Sequence, residues 1–322
     1  HIRHGYDRSG NRLYREDVAA ANLGRDFDEL YAYDGLHRLA WFGRGKLDST
    51  KTGLPGWPQS EKDYRLDATG NFARIVERRA GELQLDQTRS HNRVNEIVAT
   101  GEAIGSDWAA TAQDGAGNMT TVPLPSDPAR TLWLRWDAWN RLCEATLNEV
   151  VVAQYEYDGR ARRVVKHYDS RSPQQPEGID RHEHAFLSGQ RVIETRRSDD
   201  AATGPEDVAI QHQYVWCQRY IDAPIFRDGE TESDRLYYAA DANFNVVAIF
   251  SRSGESVERY TYQRDGEPVI PAPTLADTRS APAYANKTLY TGRELDPETA
   301  LYYYRARYYH TGLGRFVRRD PQ

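Results

Sequence analysis

The stretch WDAWNRLCEATLNEVVVAQYEYDGRARRVV, residues 136–165, contains the pattern that decides the fold. In it an aromatic residue and an aspartate, Trp136-Asp137 and then Tyr157-Asp158, precede turn-forming residues and a mixed apolar and polar run. Asp, Gly and Asn favour tight turns, whereas aromatic and β-branched residues favour strands. Each copy therefore predicts a β-hairpin. Because a lone hairpin is marginal in water, the copies must pair into a larger sheet.

Similar segments occur along the rest of the chain. They are YDRSGNRLY from Tyr6, YDGLHRLAW from Tyr33, LDATGNFARIV from Leu66, TRSHNRVNEIV from Thr88, QDGAGNMTTV from Gln113, and the weaker ADANFNVVAIF from Ala240 and YQRDGEPVI from Tyr262. Aligned on Arg89, Asp114, Asp137 and Asp158, the spacing is 21 to 25 residues, a period typical of repeat architectures. We predict an all-β fold of repeated hairpins that form one spiralling sheet, with the aspartates acting in turns.

Composition supports a thin sheet and narrows the function. The chain has 21 Tyr and 7 Trp against 8 Phe and 1 Met, and such amphipathic rings suit half-buried strand positions. A net charge of -6 argues against a nucleic-acid partner. No apolar run approaches the ~18 residues of a membrane helix. Cys143 and Cys217 lie outside any CxxC motif, so we predict neither a disulfide scaffold nor a zinc site.

The C-terminal stretch LYTGRELDPETALYYYRARYYHTGLGRFVRRDPQ, residues 289–322, differs from the repeats. If Leu301–Tyr309 is one continuous strand, its alternation places Arg305 and Arg307 on one face. A hairpin turning at His310–Phe316 would then bring the two ends of the stretch back together. The sequence thus predicts an arginine-bearing face close to both ends.

Asp296 and Asp320 stand at those two ends, each followed by proline. Two close carboxylates do not ionise together easily, so one stays protonated as an acid and the other acts as a base. We predict Asp296 and Asp320 as a catalytic pair, with Arg293, Arg305 or Arg307 holding one of them ionised. The alternative is that both Asp-Pro steps are simply turns.

The repeats and the tail together resemble the RHS/YD-repeat proteins, and the tail is similar to their RHS-repeat-associated core. The segment VWCQRYIDAPIFRDGE, residues 215–230, also resembles sequences that precede this core. The resemblance implies repeats over residues 1–265, a linker loop over 266–286 and the core over 287–322. It further implies that the sheet is part of a hollow shell, with the core as a plug at its C-terminal end.

The resemblance also implies a function, which is encapsulation of a toxic C-terminal effector and its release by an aspartic autoprotease. By position, Asp296 matches the first Asp-Pro of the core and Asp320 the second. The expected partners are the effector region of the same polypeptide, a secretion or injection apparatus and a second copy of the chain. The expected location is outside the cell or on its surface.

The tail departs from the family pattern at three places. Ala300 stands where the family usually has glycine, and His310-Thr311 where it often has Asp-Pro. The sequence stops at Gln322, ahead of the Gly-Leu of the expected cleavage site, and begins inside a repeat. We therefore expect this chain to be a piece of a longer protein.

Two other functions share the predicted fold. One is a non-catalytic structural or adhesion module, as in the teneurin-like members of the broad repeat family. The other is a carbohydrate-binding surface, which the many Tyr and Trp residues would suit. His182 and His184 share a strand face at a spacing that can bind a metal, yet no acidic or cysteine partner is spaced to complete a site. We predict no metal, no cofactor and no activity on external substrates.

Overall fold

The computed structural model describes residues 2–171, 173–199, 208–271, 278–279 and 282–320. Parts of the predicted linker, residues 272–277 and 280–281, lie outside the described residues, as does Pro321 of the second Asp-Pro step. The chain divides into two compact units, residues 1–111 and 112–322.

The first unit is one eight-stranded sheet in which each strand pairs antiparallel with the next along the chain. A short helix, α1 (Val18–Asn22), follows the second strand, and Asp17 caps it by accepting the Ala20 N–H at 3.1 Å. The strands are β1 (Ile2–Tyr6), β2 (Arg12–Asp17), β3 (Asp28–Tyr33), β4 (Leu39–Gly45), β5 (Ser60–Leu66), β6 (Phe72–Arg79), β7 (Glu82–His91) and β8 (Ile97–Ile104).

The second unit contains a thirteen-stranded antiparallel sheet, again with neighbours in chain order. Its strands are β9 (Ala112–Gln113), β10 (Met119–Leu124), β11 (Asp127–Trp136), β12 (Leu142–Leu147), β13 (Val150–Tyr157), β14 (Arg163–Tyr168), β15 (Arg181–Ser188), β16 (Arg191–Ser198), β17 (Ile210–Trp216), β18 (Pro224–Asp228), β19 (Leu236–Ala240), β20 (Val246–Phe250) and β21 (Ser256–Arg259).

Two small sheets complete the second unit. The first is β22 (Thr261–Tyr262), β23 (Pro268–Pro271) and β24 (Thr278–Arg279), and the second is β25 (Glu294–Asp296), β26 (Leu301–Tyr303), β27 (Tyr308–His310) and β28 (Arg315–Phe316). Short 3-10 turns occupy Glu232–Asp234 and Tyr290–Gly292. The prediction of an all-β fold built from hairpins is confirmed.

The turn after each aromatic residue has a common geometry, which Asp137 illustrates. Its Oδ1 accepts the N–H groups of Trp139 at 2.9 Å and Arg141 at 2.8 Å, and its Oδ2 accepts Nε of Arg141 at 2.7 Å. Asn140, the residue before Arg141, has φ 58°, a left-handed value that Asn and Gly tolerate. The aspartate therefore satisfies the backbone of its own turn, as the sequence predicts.

The same pair of side-chain acceptor bonds, to the second and fourth residues onward, recurs in most copies. It is made by Asp7, Asp34, Asp67, Asp114, Asp158 and Asp241. The copy from Thr88 was misaligned, because Arg89 lies within β7 and pairs with Thr100. There Asn92 takes the aspartate's place and accepts the N–H groups of Val94 and Glu96, both at 3.0 Å.

The residue four positions after the aspartate links one turn to the next. Asn118 donates from Nδ2 to Oδ1 of Asn140 at 2.8 Å, and Arg162 donates from Nη1 to the Gly189 carbonyl at 2.7 Å. In the first unit, Arg38 donates from Nη1 to the Asp67 carbonyl at 2.8 Å. Within each unit, Asn or Arg at this position thus bonds neighbouring hairpin turns along one edge of the sheet.

We expect Asp137→Ala to lower the free energy of unfolding by about 1–2 kcal/mol, because a half-buried turn loses its charged acceptor. Asp137→Asn is the matched control, since it keeps an acceptor oxygen and should lose less. Urea unfolding followed by tryptophan fluorescence measures both variants. An alanine variant as stable as the parent would show that water replaces the carboxylate in this turn.

The tail is part of the core of the second unit. Tyr302 is fully buried, and its hydroxyl donates to the Gly266 carbonyl at 3.0 Å. It belongs to a cluster of buried apolar side chains contributed by the repeats and the tail, namely Leu236, Val246, Ile249, Tyr260, Tyr262, Ile270, Leu289 and Tyr302. The tail is therefore packed against the large sheet, and this packing positions its aspartate.

Candidate functional site: a buried charge cluster around Asp296

The predicted continuous strand Leu301–Tyr309 is wrong, because a tight turn interrupts it. β26 ends at Tyr303 and β27 begins at Tyr308, and the Tyr304 N–H donates to the Arg307 carbonyl at 2.7 Å. Arg305 lies in this turn with φ 63°. A hairpin thus stands where the sequence suggested one strand, and Arg305 and Arg307 do not share a strand face.

The second predicted turn, at His310–Phe316, is confirmed. β27 and β28 pair through it, with Tyr309 opposite Phe316 and His310 opposite Arg315. His310 itself is fully buried, with Nε2 2.6 Å from the Pro123 carbonyl oxygen of β10. His310 therefore ties the tail to the large sheet.

Asp296, the last residue of β25, is fully buried between two cations of β14. Its Oδ2 lies 2.6 Å from Nη1 of Arg163, and its Oδ1 lies 3.2 Å from Nη2 of Arg163 and 2.9 Å from Nζ of Lys166. Residues three apart on a regular strand face opposite ways. A bulge opposite Glu156 and Tyr157 shifts the register of β14 and lets both cations reach one carboxylate.

These cations determine the charge of Asp296. Burial raises the pKa of the carboxyl group, but Arg163 and Lys166 outweigh burial and lower the pKa to about 2. Asp296 is therefore ionised at neutral pH. Its role as a general base in catalysis stays a prediction.

Aromatic side chains enclose the guanidinium of Arg163. Its central carbon lies 4.0 Å from the ring centre of Tyr303 and 5.2 Å from that of Tyr155. Its Nη1 donates to the Tyr308 hydroxyl at 3.2 Å, and its backbone N–H donates to the Tyr303 hydroxyl at 3.1 Å. Tail tyrosines thus bury the cation that binds the tail aspartate, which strengthens the ion pair by removing water.

Four further ionisable residues extend the group of Asp296, Arg163 and Lys166 into what we call the tail charge cluster. Lys166 Nζ lies 3.4 Å from Oε1 of Glu298 and 3.8 Å from Oε1 of Glu294. Glu294 also accepts Arg163 at 3.0 Å. The members are Arg163, Lys166, Glu183, Lys287, Glu294, Asp296 and Glu298, with Lys287 bonded to Glu183 at 2.5 Å.

Glu298 is the unusual member of the cluster. Its side chain is fully buried, and neither carboxyl oxygen makes a hydrogen bond. Burial, together with the charge of Asp296, raises its pKa to about 7 despite the opposing effect of Lys166. With Glu298 protonated, three cations face three carboxylates and the charges balance. Ionising Glu298 would add a fourth negative charge.

The other predicted site residues lie elsewhere. Arg293 contacts Asp222 at 2.8 Å, and Arg305 also bonds Asp222. Asp320 has a side chain 77% exposed and lies 3.5 Å from Nη1 of Arg307. Of the predicted arginines, Arg307 alone contacts a predicted aspartate in the described part of the chain.

Arg293 and Arg305 thus both pair with Asp222, and of the three arginines predicted to hold one of the aspartates, Arg307 has that contact, with Asp320. Asp296 and Asp320 also share no ion-pair partner among the described residues. The functional residues that sequence reasoning missed are Arg163 and Lys166, in RRVVKHY. A signal was present, since cations within an apolar strand are rarely buried unless paired.

A cavity of about 100 Å³ adjoins the cluster. Arg163, Lys166 and Glu183 line it, together with the aromatic side chains of Tyr214 and Trp216. This volume accommodates a few water molecules. The cavity thus offers polar surface beside the cations that hold Asp296.

In the part of the chain that the structure describes, no group of three or more His, Cys, Asp and Glu residues is arranged to hold a metal ion. Over the same residues, no helix has the length and apolar character needed to cross a bilayer.

Comparisons with known proteins give relatives by sequence and neighbours by structure. No family model matches the chain. It is 24% identical over 261 residues to the tRNA3(Ser)-specific nuclease WapA of Bacillus spizizenii, and 23% identical over 261 residues to the tRNA nuclease WapA of Bacillus subtilis (strain 168). Each match covers 80% of this chain and 10% of the relative. The chain thus spans about a tenth of the length of these relatives.

The structural neighbours include toxin complexes. One is the Tc holotoxin pore of Photorhabdus luminescens, with 14% identity, a TM-score of 0.40 and coverage of 99% of this chain and 20% of that one. Another is the TcdB2–TccC3 crystal structure, with 13% identity, a TM-score of 0.40 and coverage of 99% and 21%. The chain is therefore similar in sequence to WapA nucleases and has Tc toxin chains among its structural neighbours.

Proposed function

We propose that this chain is a segment of the hairpin shell of an RHS-type toxin protein, and that its tail anchors the C-terminal end of that shell. The observation that carries the proposal is the burial of Asp296 against Arg163 and Lys166. Such a pair is costly unless both partners are in place. It therefore ties residues 287–322, the proposed core, to β14 of the proposed repeat region.

The proposed cargo is the effector region of the same polypeptide. A wall of successively paired hairpins leaves few exposed strand edges, and it can separate an unfolded segment from solvent. We place the parent protein outside the cell or on its surface, delivered by a secretion or injection apparatus. The nuclease activity named for WapA is not carried over to this chain, which matches a tenth of those proteins and has a net charge of -6.

The proposed release step is self-cleavage beyond residue 320. In it an ionised carboxylate takes a proton from water while a protonated carboxyl hydrogen-bonds the scissile carbonyl oxygen. The water oxygen bonds to the carbonyl carbon, the C–N bond breaks and the leaving amine takes the proton. Asp296 is the proposed base. Asp320 is the proposed acid, which requires it to leave Arg307.

The test is the intact mass of a chain extended into its native continuation. Asp320→Asn is the decisive variant, because this exposed residue is replaced without disturbing the core. Two fragments from the parent and one uncut chain from Asp320→Asn support the proposal. Asp296→Asn should also stay uncut, and circular dichroism must confirm that it folds. An uncut but folded parent would overturn the cleavage step.

One observation favours a non-catalytic structural module instead. Asp296 is sealed between cations, and Asp320 lies exposed beside Arg307. Both aspartates then have structural roles, one as a buried anchor and one as a turn residue. This function is selected if the parent and both variants are folded and uncut, each with the mass calculated from its full sequence.

A further inference from the structure

The other face of β14 and β15 carries a pair of histidines in direct contact. His167 and His182 are register partners, next to the Lys166–Glu183 pair of the tail charge cluster. Their Nδ1 atoms lie 2.5 Å apart, and their rings meet edge to face with centres 4.8 Å apart. Because neighbouring residues on a strand point to opposite faces, the histidines lie behind the cations that bind Asp296.

Glu156 determines the tautomer of this pair. Its Oε1 lies 3.0 Å from Nε2 of His167. A carboxylate accepts and does not donate, so Nε2 of His167 is the donor in this contact, and in the neutral ring Nδ1 presents its lone pair to His182. Two imidazole nitrogens at this separation cannot both present only lone pairs or only protons. At this separation they share a proton, and a metal ion that bound both nitrogens would replace that proton.

We propose that His167 and His182 form a two-histidine site for a divalent transition-metal ion of the zinc, nickel or copper class. Imidazole nitrogen is a preferred ligand of these ions. A carboxylate that accepts the second ring N–H of a ligand histidine is the usual outer-shell support of such sites, and Glu156 occupies that position. Water completes the coordination.

The geometry requires a small adjustment. Metal–nitrogen distances of about 2.0–2.1 Å place two ligand nitrogens of a tetrahedral ion roughly 3.3 Å apart. The rings must therefore separate slightly from their present contact. The side chain of His167 is 20% exposed, which gives it room to move, whereas His182 is buried.

The sequence suggested a different pair. His182 and His184 share a strand, but the contact partner of His182 comes from the neighbouring strand. This site has two protein ligands, whereas the groups found to be absent from the described residues have three or more. A bound ion would cross-link β14 to β15 directly behind Arg163 and Lys166, and should stabilise the sheet that holds the tail.

The test is calorimetric titration of the chain, carrying no added histidines, with zinc chloride and separately with nickel chloride at pH 7.5. We expect one ion per chain and a rise in Tm that saturates with metal. His167→Ala should abolish both effects. Glu156→Ala should weaken binding about 10-fold or more, because it removes only the outer-shell support.

His184→Ala is the matched control and should bind as the parent does. His167→Ala is preferred to a change at the buried His182, and its metal-free Tm shows whether it is folded. Absence of saturable binding below millimolar metal would overturn the proposal and leave a proton-sharing pair. Parent-like binding by His167→Ala would overturn it as well.

Discussion

Asp296→Asn is expected to lower the free energy of unfolding of the 112–322 unit by about 3–5 kcal/mol, although asparagine has nearly the same shape. Arg163 and Lys166 would remain buried with one counter-charge fewer, and breaking a buried ion pair by removing one partner carries this cost. Urea unfolding at pH 7 measures the loss. Asp320→Asn is the matched control, since its exposed carboxylate should contribute little to stability.

A double-mutant cycle separates the ion pair from other effects of the substitution. Lys166→Met alone leaves Asp296 with one cation, and it should also be strongly destabilising. Asp296→Asn combined with Lys166→Met should lose much less than the sum of the two single losses, because neither charge is then left without its partner. Strictly additive losses would show that the two side chains do not stabilise the fold as a pair.

The repeat is the part of the fold that could be predicted from sequence. Asp137 and Tyr157 are informative because turn formation and strand preference are local properties that recur at a regular spacing. The misplaced copy at Thr88 shows the limit of this approach. Asn92 performs the aspartate's role there, and an alignment that placed Arg89 at the aspartate position passed over it.

The tail was harder to predict, because its conformation depends on distant residues. Alternation of Leu301–Tyr309 suggested one strand, but Arg305 adopts a left-handed conformation that sequence patterns do not reveal for a non-glycine residue. Ala300 behaves similarly, with φ 54° at a position where the resemblance leads one to expect glycine. Both turns bend the tail so that Asp296 meets β14.

The partners of Asp296 could not be predicted from the tail alone. Arg163 lies 133 positions from Asp296 along the chain, and the bulge that aligns Arg163 with Lys166 is a register effect between β13 and β14. Sequence reasoning therefore identified the carboxylate, and the only cations it considered for either aspartate were arginines of the tail. The fold supplies cations from the repeat region instead.

Glu298 is expected to make the second unit less stable as the pH rises from about 5 to 7. Its pKa in the folded chain is raised to about 7 from an ordinary value of 4.5, first by burial and also by Asp296. Across this range the unfolded chain has released the proton and the folded chain still holds it, so unfolding becomes progressively more favourable. A shift of this size corresponds to a loss on the order of 3 kcal/mol.

The carboxylates with lowered pKa act in the opposite sense and in a different range. Asp296 and Glu183 both have a pKa lowered to about 2, so their stabilising contribution is present above their ordinary pKa values and lost as the pH falls toward 2. The combined contribution of these carboxylates to stability should therefore peak at a mildly acidic pH, between the two effects. Protonation of Glu298 also keeps the cluster neutral in that range.

Glu298→Gln tests this assignment, because glutamine resembles the protonated acid and does not titrate. Urea unfolding at half-unit steps from pH 5 to 8 should show the parent losing stability relative to the variant, so that the variant is the more stable protein at pH 8. The difference is the readout because His212, whose pKa is lowered to about 3, makes both proteins more stable as the pH rises toward 6.5. Glu294→Gln is the matched control, because Glu294 is partly exposed and contacts the same lysine, Lys166. This variant should keep the parent's dependence of stability on pH. A parent that keeps the same stability difference from Glu298→Gln between pH 5 and 8 would mean that Lys166 holds Glu298 ionised, and that the cluster carries a fourth negative charge.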